Sequence, residues 1–347
     1  MGLFGKQKSQ SYLGIDIGTG GVKLVELANE KGRARLMTYA FTERRSATGA
    51  ASLLDDPKKA AALLQRLIKE SGATATRAVS GLPQHNVFDA IISIPRTKEQ
   101  KDRKALIEAQ VRKLTPIPFE EMILDSKILD EEKKDLEYTR VLVTGAPKMI
   151  VQKYIEIFRL AKLQLLALET ESFALVRSLV GKDRSTIMTI DIGSHRTNLS
   201  VIEKGIPLLS RSLNVGGALV SEQIAQQMGV EREEAEQMKI DLAKAGNAEV
   251  PPAAEIILQP ILNEINYTFR ILSERGVGSA NVEKVILTGG SSALPGLVPY
   301  LTQKLNLNVY LGDPFARVAV PQTLRPVLDD VGPRFAVALG LAMRDIE

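Results

Sequence analysis

Two stretches decide how this chain reads: Tyr12-Leu13-Gly14-Ile15-Asp16-Ile17-Gly18-Thr19-Gly20 and Thr186-Ile187-Met188-Thr189-Ile190-Asp191-Ile192-Gly193-Ser194-His195. Each is an apolar run of strand length that ends in Asp-Ile-Gly and reverses through Gly, Ser and Thr. Glycine lets a backbone approach phosphate oxygens closely and aim N–H donors at them. Two such loops, with aspartates about 175 positions apart, suit a cleft that grips one nucleotide from both sides. Magnesium prefers few carboxylates, retained waters and phosphate oxygens, so Asp16 and Asp191 are expected to hold it through water. The plainer alternative is that each Asp-x-Gly only turns the chain between buried strands. That alternative explains one copy better than two copies in matching contexts.

The residues after each loop extend the pattern. Val22-Lys23-Leu24-Val25-Glu26-Leu27 and Thr197-Asn198-Leu199-Ser200-Val201-Ile202 alternate well enough to be antiparallel partners, which makes each loop a hairpin tip. Lys23, just beyond the first tip, is placed to reach a β-phosphate as a point charge. A third glycine cluster follows the strand expected over 281–288: Gly289-Gly290-Ser291-Ser292, then Leu294-Pro295-Gly296 and a helix through Leu305. Small residues there suit a flat base laid against backbone.

These three clusters, in this order, resemble the actin and heat-shock chaperone ATPase superfamily, with its two phosphate loops and Gly-Gly adenosine loop. The resemblance implies nucleotide contacts from Gly18, Thr19, Gly20, Gly21 and Lys23 in the first loop. It implies others from Gly193, Ser194, His195 and Thr197 in the second loop and from Gly289, Gly290 and Ser291 in the third. Val215-Gly216-Gly217 resembles the superfamily's small-residue turn near the phosphates. Ala235-Glu236-Gln237-Met238-Lys239-Ile240 is similar to its helix whose Glu and Lys, here Glu236 and Lys239, address the ribose and base. Glu171 falls where the first connecting helix begins, and 335–342 looks like the second. The resemblance makes Glu171 the candidate catalytic, water-activating carboxylate; the alternative is that it caps the following helix. His195 either contacts a phosphate or caps its turn.

Within the superfamily the chain resembles the PilM family of type IV pilus assembly. Gly2-Leu3-Phe4-Gly5-Lys6, the run from Gly14 through Leu27, and Pro116-Ile117-Pro118-Phe119-Glu120-Glu121 with Leu124-Asp125 carry that resemblance. It implies an actin-like, ribonuclease H-like α/β fold of duplicated mixed-sheet lobes with an inserted small α+β subdomain. It also implies a cytoplasmic scaffold with ATP and Mg2+ as cofactors, at most a slow ATPase, at the inner face of the inner membrane. The partner would be the N-terminal tail of a PilN-like membrane protein, with pilus motor ATPases and platform proteins as further candidates. A monomer and a weak homo-oligomer both remain open.

Composition sets outer limits. A chain of 347 residues with 44% hydrophobic content can bury a large core and allows two domains. With no cysteine and only His85 and His195, disulfides and thiolate or histidine-rich metal sites are excluded. Forty-five basic against 41 acidic side chains give a net charge of +4, and there is no Trp and no dense basic stripe interleaved with aromatics. Nucleic-acid binding is therefore not expected. No apolar run reaches spanning length and no signal-peptide pattern opens the chain, so a cytosolic protein is expected. Lys6 and Lys8 beside Leu3 and Phe4 are too few to anchor to a membrane and read as a docking or flexible start. The sequence ends at Glu347, directly after the second connecting helix, whereas FtsA ordinarily carries a further tail with a membrane-binding helix; the expectation is PilM over FtsA.

The expected domains are a first lobe over 1–86, to which 165–185 and 335–347 return, an insert over 87–164, and a second lobe over 186–334 with a helical part at 218–275. The first lobe includes a helix over 57–70 with Ala60, Leu63, Leu64, Leu67 and Ile68 on one face. The insert reads βαββα: strand 87–94, helix 98–113, strands 123–129 and 139–144, and helix 148–162, with a charged turn in 130–137. Met228 and Met238 are assigned to core, and the run 231–236 to a solvated helix face. Competing readings are an FtsA- or MreB-like cytoskeletal ATPase and, less well matched, a small-molecule kinase, for which no polar sugar-pocket cluster is visible. A dinucleotide-binding dehydrogenase fails because Lys23 stands where the third glycine belongs and a hairpin follows. A P-loop NTPase fails for want of its Gly-x-x-x-x-Gly-Lys-Ser/Thr motif.

Overall fold

A computed structural model describes residues 10–42, 53–97, 99–115, 117–129, 137–244, 249–275 and 281–346. The opening Gly2 to Lys8, Lys98, Pro116 and most of the expected turn at 130–137 lie outside the described residues. In chain order the first elements are β1 (Ser11–Gly18), β2 (Gly21–Glu30), β3 (Arg33–Phe41), α1 (Pro57–Ser71) and β4 (Arg77–Leu82). Helix α1 starts where Asp56 accepts the Lys59 amide at 3.0 Å and Pro57 sets the first turn; Gly72, at φ 68°, ends it in a left-handed cap. Its Ala60, Leu64 and Leu67 are buried, with Leu63 and Ile68 packed against the same cluster, as the helical spacing predicts.

Next come β5 (Phe88–Pro95), α2 (Gln100–Leu114), β6 (Met122–Ile128), β7 (Tyr138–Pro147) and α3 (Lys148–Leu160). Strand β7 outruns its expected 139–144 span because it is the middle strand of the order β5-β7-β6, with antiparallel partners on both edges. Helix α3 stops short of 162, where Lys162 takes φ 61° and turns the chain into β8 (Gln164–Thr170). Strand β8 closes a five-stranded sheet in the order β3-β2-β1-β4-β8.

Helix α4 (Glu171–Leu175) follows and continues as a π-helical turn over Val176–Val180. Then come β9 (Thr186–Ile192), β10 (Thr197–Glu203), β11 (Ile206–Leu213), α5 (Gly217–Met228), α6 (Arg232–Lys244), α7 (Glu255–Arg275), β12 (Lys284–Thr288), α8 (Leu297–Leu305), β13 (Asn308–Leu311), α9 (Arg325–Val331) and α10 (Ala336–Ala342). The second five-stranded sheet runs β11-β10-β9-β12-β13, a near repeat of the first. Residues 281–283, expected in strand β12, precede it.

Each large sheet has its own core, and the connecting helices run against them. A Cβ on Gly14 of β1 would fall 1.8 Å from Ala338 O of α10, and one on Gly340 of α10 would fall 1.9 Å from Ala174 O of α4. Helix α10 therefore lies backbone against backbone on both β1 and α4, a closeness that only glycine permits. One core assignment is overturned: Met228 is 60% exposed. It is the last residue of α5, in the exposed stretch 226–229 that ends at the left-handed Gly229 (φ 65°). Met238 does pack against the second core, as expected.

Candidate functional site

The two Asp-Ile-Gly segments form the paired hairpin tips that their sequences predict. In the first, β1 and β2 pair in register through Asp16 opposite Lys23 and Gly18 opposite Gly21, leaving Thr19-Gly20 as a two-residue turn. In the second, β9 and β10 pair with Asp191 opposite Asn198 and Ile192 opposite Thr197, leaving the four residues Gly193 to Arg196 as the loop, closed by Gly193 N–H donating to Arg196 O at 2.9 Å. The tips meet: a Cβ on Gly20 would stand 2.8 Å from Ser194 Cβ. His195 is exposed on the second loop, and Thr197 is buried with its hydroxyl donating to Val215 O at 2.8 Å.

Between the hairpins three carboxylates and one ammonium influence one another. Lys23 Nζ donates to Asp16 Oδ2 at 2.9 Å. Burial opposes the Lys23 charge, but Asp16, with Asp191 and Glu171 close by, more than offsets it and holds the ammonium's pKa above its ordinary value. Asp191 is pushed up to about 6, first by burial, with Lys23 pulling down and Asp16 pushing up. Glu171 is pushed up to about 8 by burial and then by the charges of Asp16 and Asp191. Both side chains keep a little accessible surface, yet protein surrounds them closely enough for desolvation to lead. Fully ionised, this group carries two net negative charges, which a divalent cation would balance. No group of three His, Cys, Asp or Glu among the described residues is arranged as an all-protein cation cage. These groups fit a magnesium ion held through water and phosphate better than one held by the protein alone.

Glu171 does not cap α4. That task falls to Thr170, whose side chain accepts the Phe173 amide at 3.5 Å. The Glu171 carboxylate instead accepts from Gln84 N at 3.3 Å and from Asn198 Nδ2 at 2.8 Å. Asn198 in turn accepts from Ser212 Oγ at 2.7 Å. Neither Asn198 nor Gln84 stood out as a site residue in the sequence. The signal for Asn198 was nevertheless present, because it follows Asp191 by the same seven positions that separate Lys23 from Asp16.

The remaining candidates form a second group. Gly217 and Ala218 N–H donate to Gly193 O (2.9 Å) and Ser194 O (2.7 Å), so the start of α5 is stitched to the second hairpin. A Cβ on Gly216 would sit 2.6 Å from Ser194 O, and one on Gly217 only 1.9 Å from Ser291 Oγ. Buried Lys239 donates to Gly217 O (3.0 Å), Ser221 Oγ (2.9 Å) and Glu236 Oε2 (2.7 Å), and Ser221 also donates to Glu236. Burial resists the Glu236 charge, but Lys239 beside it and the Ser221 bond bring its pKa below the ordinary value. Glu236, Lys239, Gly216, Gly217 and Ser291 thus share one corner of the second lobe.

The two glycines of the third cluster differ. Gly289, at φ 89°, has no room for a side chain, since its Cβ would fall 2.3 Å from Asp191 Oδ1. Gly290 is exposed, and a Cβ there would meet nothing nearer than Arg334 Cβ at 4.0 Å. Gly21 also serves packing: its Cβ would fall 1.9 Å from Thr42 O. A cavity of about 790 Å3 opens elsewhere, between the π-helical turn and β13, and none of the three carboxylates lines it.

Comparison with known proteins agrees with this geometry. The family profile "Type IV pilus assembly protein PilM" matches residues 14–346. Among solved structures, a PilM-PilN type IV pilus biogenesis complex superposes with a TM-score of 0.83 at 25% identity, covering 97% of this chain and 98% of that one. Cell division protein FtsA of Bacillus subtilis is 22% identical over 92% of this chain and 82% of its own length. FtsA of Agrobacterium fabrum is 26% identical over 44% of this chain, a match spanning 38% of that protein. The fold is the actin-like one expected. With a family match running from β1 to the residues after α10, the chain belongs to the PilM family of type IV pilus assembly proteins.

Proposed function

We propose that this chain is a cytoplasmic, ATP-binding scaffold of the type IV pilus assembly platform, which binds the N-terminal tail of a PilN-like membrane protein and links it to the pilus motor. The observation that carries the nucleotide half is the pair of Asp-bearing hairpins meeting at Gly20 and Ser194, with Lys23 and Glu171 beside both aspartates. Asp16 and Asp191 would hold magnesium through water, and the metal would supply charge neutralisation at the phosphates. Lys23 adds a positive charge at the first tip, and exposed Gly290 leaves a flat, unobstructed face for a base. Glu171, held by Gln84 N and Asn198 Nδ2, would be the group that takes a proton from water. The PilN half rests on family membership and on the likeness to a PilM-PilN complex. No helix among the described residues is long and apolar enough to cross a membrane, so membrane attachment would come through that partner.

Calorimetry tests the nucleotide half. Asp16→Ala and Asp191→Ala should each weaken Mg-ATP by tenfold or more, on the order of 1.4 kcal/mol or above, while metal-free ATP changes little. Equal Mg-ATP affinity in wild type and both variants would overturn the reading. A labelled PilN-type tail peptide, titrated with and without Mg-ATP, tests the other half, with affinity expected in the micromolar range, about −8 kcal/mol.

A further inference from the structure

The polar contacts around Glu171 continue beyond the cleft and converge on one side chain. Gln84 lies in the short 3₁₀ turn between β4, a strand of the first large sheet, and β5, the first strand of the small sheet β5-β7-β6. It is buried, 6% exposed. Its backbone N–H donates to Glu171 Oε2 at 3.3 Å. Its side-chain Nε2 donates to Asp89 Oδ2 on β5 at 3.0 Å. Its Oε1 accepts from Ser172 Oγ at 3.0 Å, and that hydroxyl lies 2.7 Å from Ser200 Oγ on β10 and 3.1 Å from Ser210 Oγ on β11. One residue therefore touches the cleft carboxylate, the start of α4 and the small sheet, and reaches the second lobe's hydroxyls through Ser172.

The far end of this chain of contacts is poised. Among the described residues Asp89 Oδ1 is buried with no hydrogen-bond partner, and the Gln84 amide and Thr144 are the groups that hold the carboxyl. Thr144 is the residue opposite Asp89 on β7. A buried carboxyl with one oxygen already unpaired loses further when a donor is withdrawn. A displacement of Gln84 would leave Asp89 with Thr144 alone.

We infer that Gln84 couples the nucleotide cleft to the inserted sheet, so that a change in how Glu171 is held alters the pairing of Asp89 on β5. The inference rests on the reading that the cleft binds Mg-ATP and adds to it the route by which the small sheet senses occupancy. Coupling of this kind travels through physical contacts, and the Gln84 amide supplies one between Ser172 beside the cleft and Asp89 on β5.

The test is hydrogen exchange of the full chain, with and without Mg-ATP, in wild type and three variants. Gln84→Met removes both side-chain bonds at similar volume, Asp89→Ala breaks the route from the other end, and Asp89→Asn keeps an oxygen for the Gln84 amide. In wild type Mg-ATP should change exchange of β5 and β7 amides by about threefold or more. The change should fall below about 1.5-fold in Gln84→Met and Asp89→Ala and persist in Asp89→Asn, each variant being compared at saturating Mg-ATP. If Gln84→Met does not fold, Asp89→Ala carries the same test from the inserted sheet. Failure of wild type to bind Mg-ATP would overturn the nucleotide reading itself. Binding with no response in β5 and β7, or with an equal response in Gln84→Met and Asp89→Ala, would overturn the coupling alone.

Discussion

The two hairpins begin with the same three letters and end with different chemistry. Across the first, Asp16 faces Lys23 and is ion-paired with it at 2.9 Å; across the second, the position facing Asp191 is Asn198, which turns away to Glu171. The first aspartate thus has a built-in counter-charge. The second is pushed up to about 6 by burial and by Asp16, with only Lys23 of the other hairpin drawing it down. Duplication supplied the strands and the turn positions, and one cross-strand exchange of Lys for Asn separated their roles. It leaves an excess of negative charge on the second side of the cleft and ties that side to Glu171.

The largest effect expected concerns Glu171, the carboxyl that burial and its neighbours' charges raise further than Asp191. Folding raises this carboxyl from 4.5 to about 8, so it costs nothing below pH 4.5 and costs progressively more as pH rises through 8. Glu171→Gln keeps an oxygen for the Gln84 and Asn198 donors and removes the titration. Without nucleotide the variant should gain on wild type between pH 4.5 and 9 by on the order of 4 kcal/mol, less than full desolvation implies because the side chain keeps some solvent access. Urea denaturation at the two pH values reads this directly. A gap that does not change with pH would mean the carboxyl is not perturbed and the second side carries no charge excess.

Next in size is the contrast between Gly289 and Gly290. Gly289→Val places a branched side chain at φ 89° and against Asp191 Oδ1, and should cost about 3 kcal/mol or prevent folding. Gly290→Val meets open space and should change stability by under about 1 kcal/mol, while excluding a base from the exposed face beside it. Thermal unfolding without ligand, followed by ATP titration, separates the two. If Gly290→Val is the less stable variant, the exposed glycine serves the turn rather than a ligand.

How much of this was legible beforehand can be traced residue by residue. Apolar runs before each Asp-Ile-Gly gave β1 and β9, alternation after each loop gave their hairpin partners, and helical spacing gave α1 to within one residue, because all three depend on local patterns. The βαββα order of the small sheet was likewise readable, with errors at the ends: β7 ran longer because two partners support it, and α3 ended at Leu160, short of the expected 162, where Lys162 turns the chain. Met228 failed because a methionine's burial depends on what lies opposite, and α5 leaves the core after Ala225, so that 226–229 are exposed. At the site, the short-range motifs were visible but the long-range partners were not. Gln84 and Glu171 are 87 positions apart, and no local pattern announces that the amide of one reaches the carboxylate of the other. The same holds for Gly289, whose close approach to Asp191 comes from β12 lying beside β9.

The ion pair of the first hairpin offers a smaller, cleaner test of the difference. Lys23→Met makes that hairpin resemble the second by removing its internal counter-charge. Asp16 would be left 7% exposed without its partner, at a cost of about 2 kcal/mol, moderated because the Lys23 side chain is 25% exposed in the intact pair. Urea denaturation at neutral pH measures it. A cost no larger than that of an ordinary surface substitution would show that Asp16 is as tolerant of isolation as Asp191, and the contrast between hairpins would lose its electrostatic basis.

The smallest effect probes the exchange from the other side. Asn198→Leu removes the donor to Glu171 Oε2 and the acceptor of Ser212, leaving Gln84 N to donate to that oxygen at 3.3 Å. A donated hydrogen bond favours the ionised carboxyl, so its loss should raise the Glu171 pKa further. The part of the stability cost that depends on pH should therefore be near zero at pH 4.5, where Glu171 is protonated, and about 1 kcal/mol at pH 9, added to a constant cost for the lost Ser212 contact. In the Glu171→Gln background this growth with pH should vanish, because the group that titrates is gone, while the loss of the Ser212 contact remains. A double-mutant cycle at the two pH values isolates the Asn198–Glu171 interaction. If the cost of Asn198→Leu is the same at both pH values, Asn198 acts through Ser212 and β11 alone, and the second hairpin's asparagine does not differ from the first hairpin's lysine for the sake of Glu171.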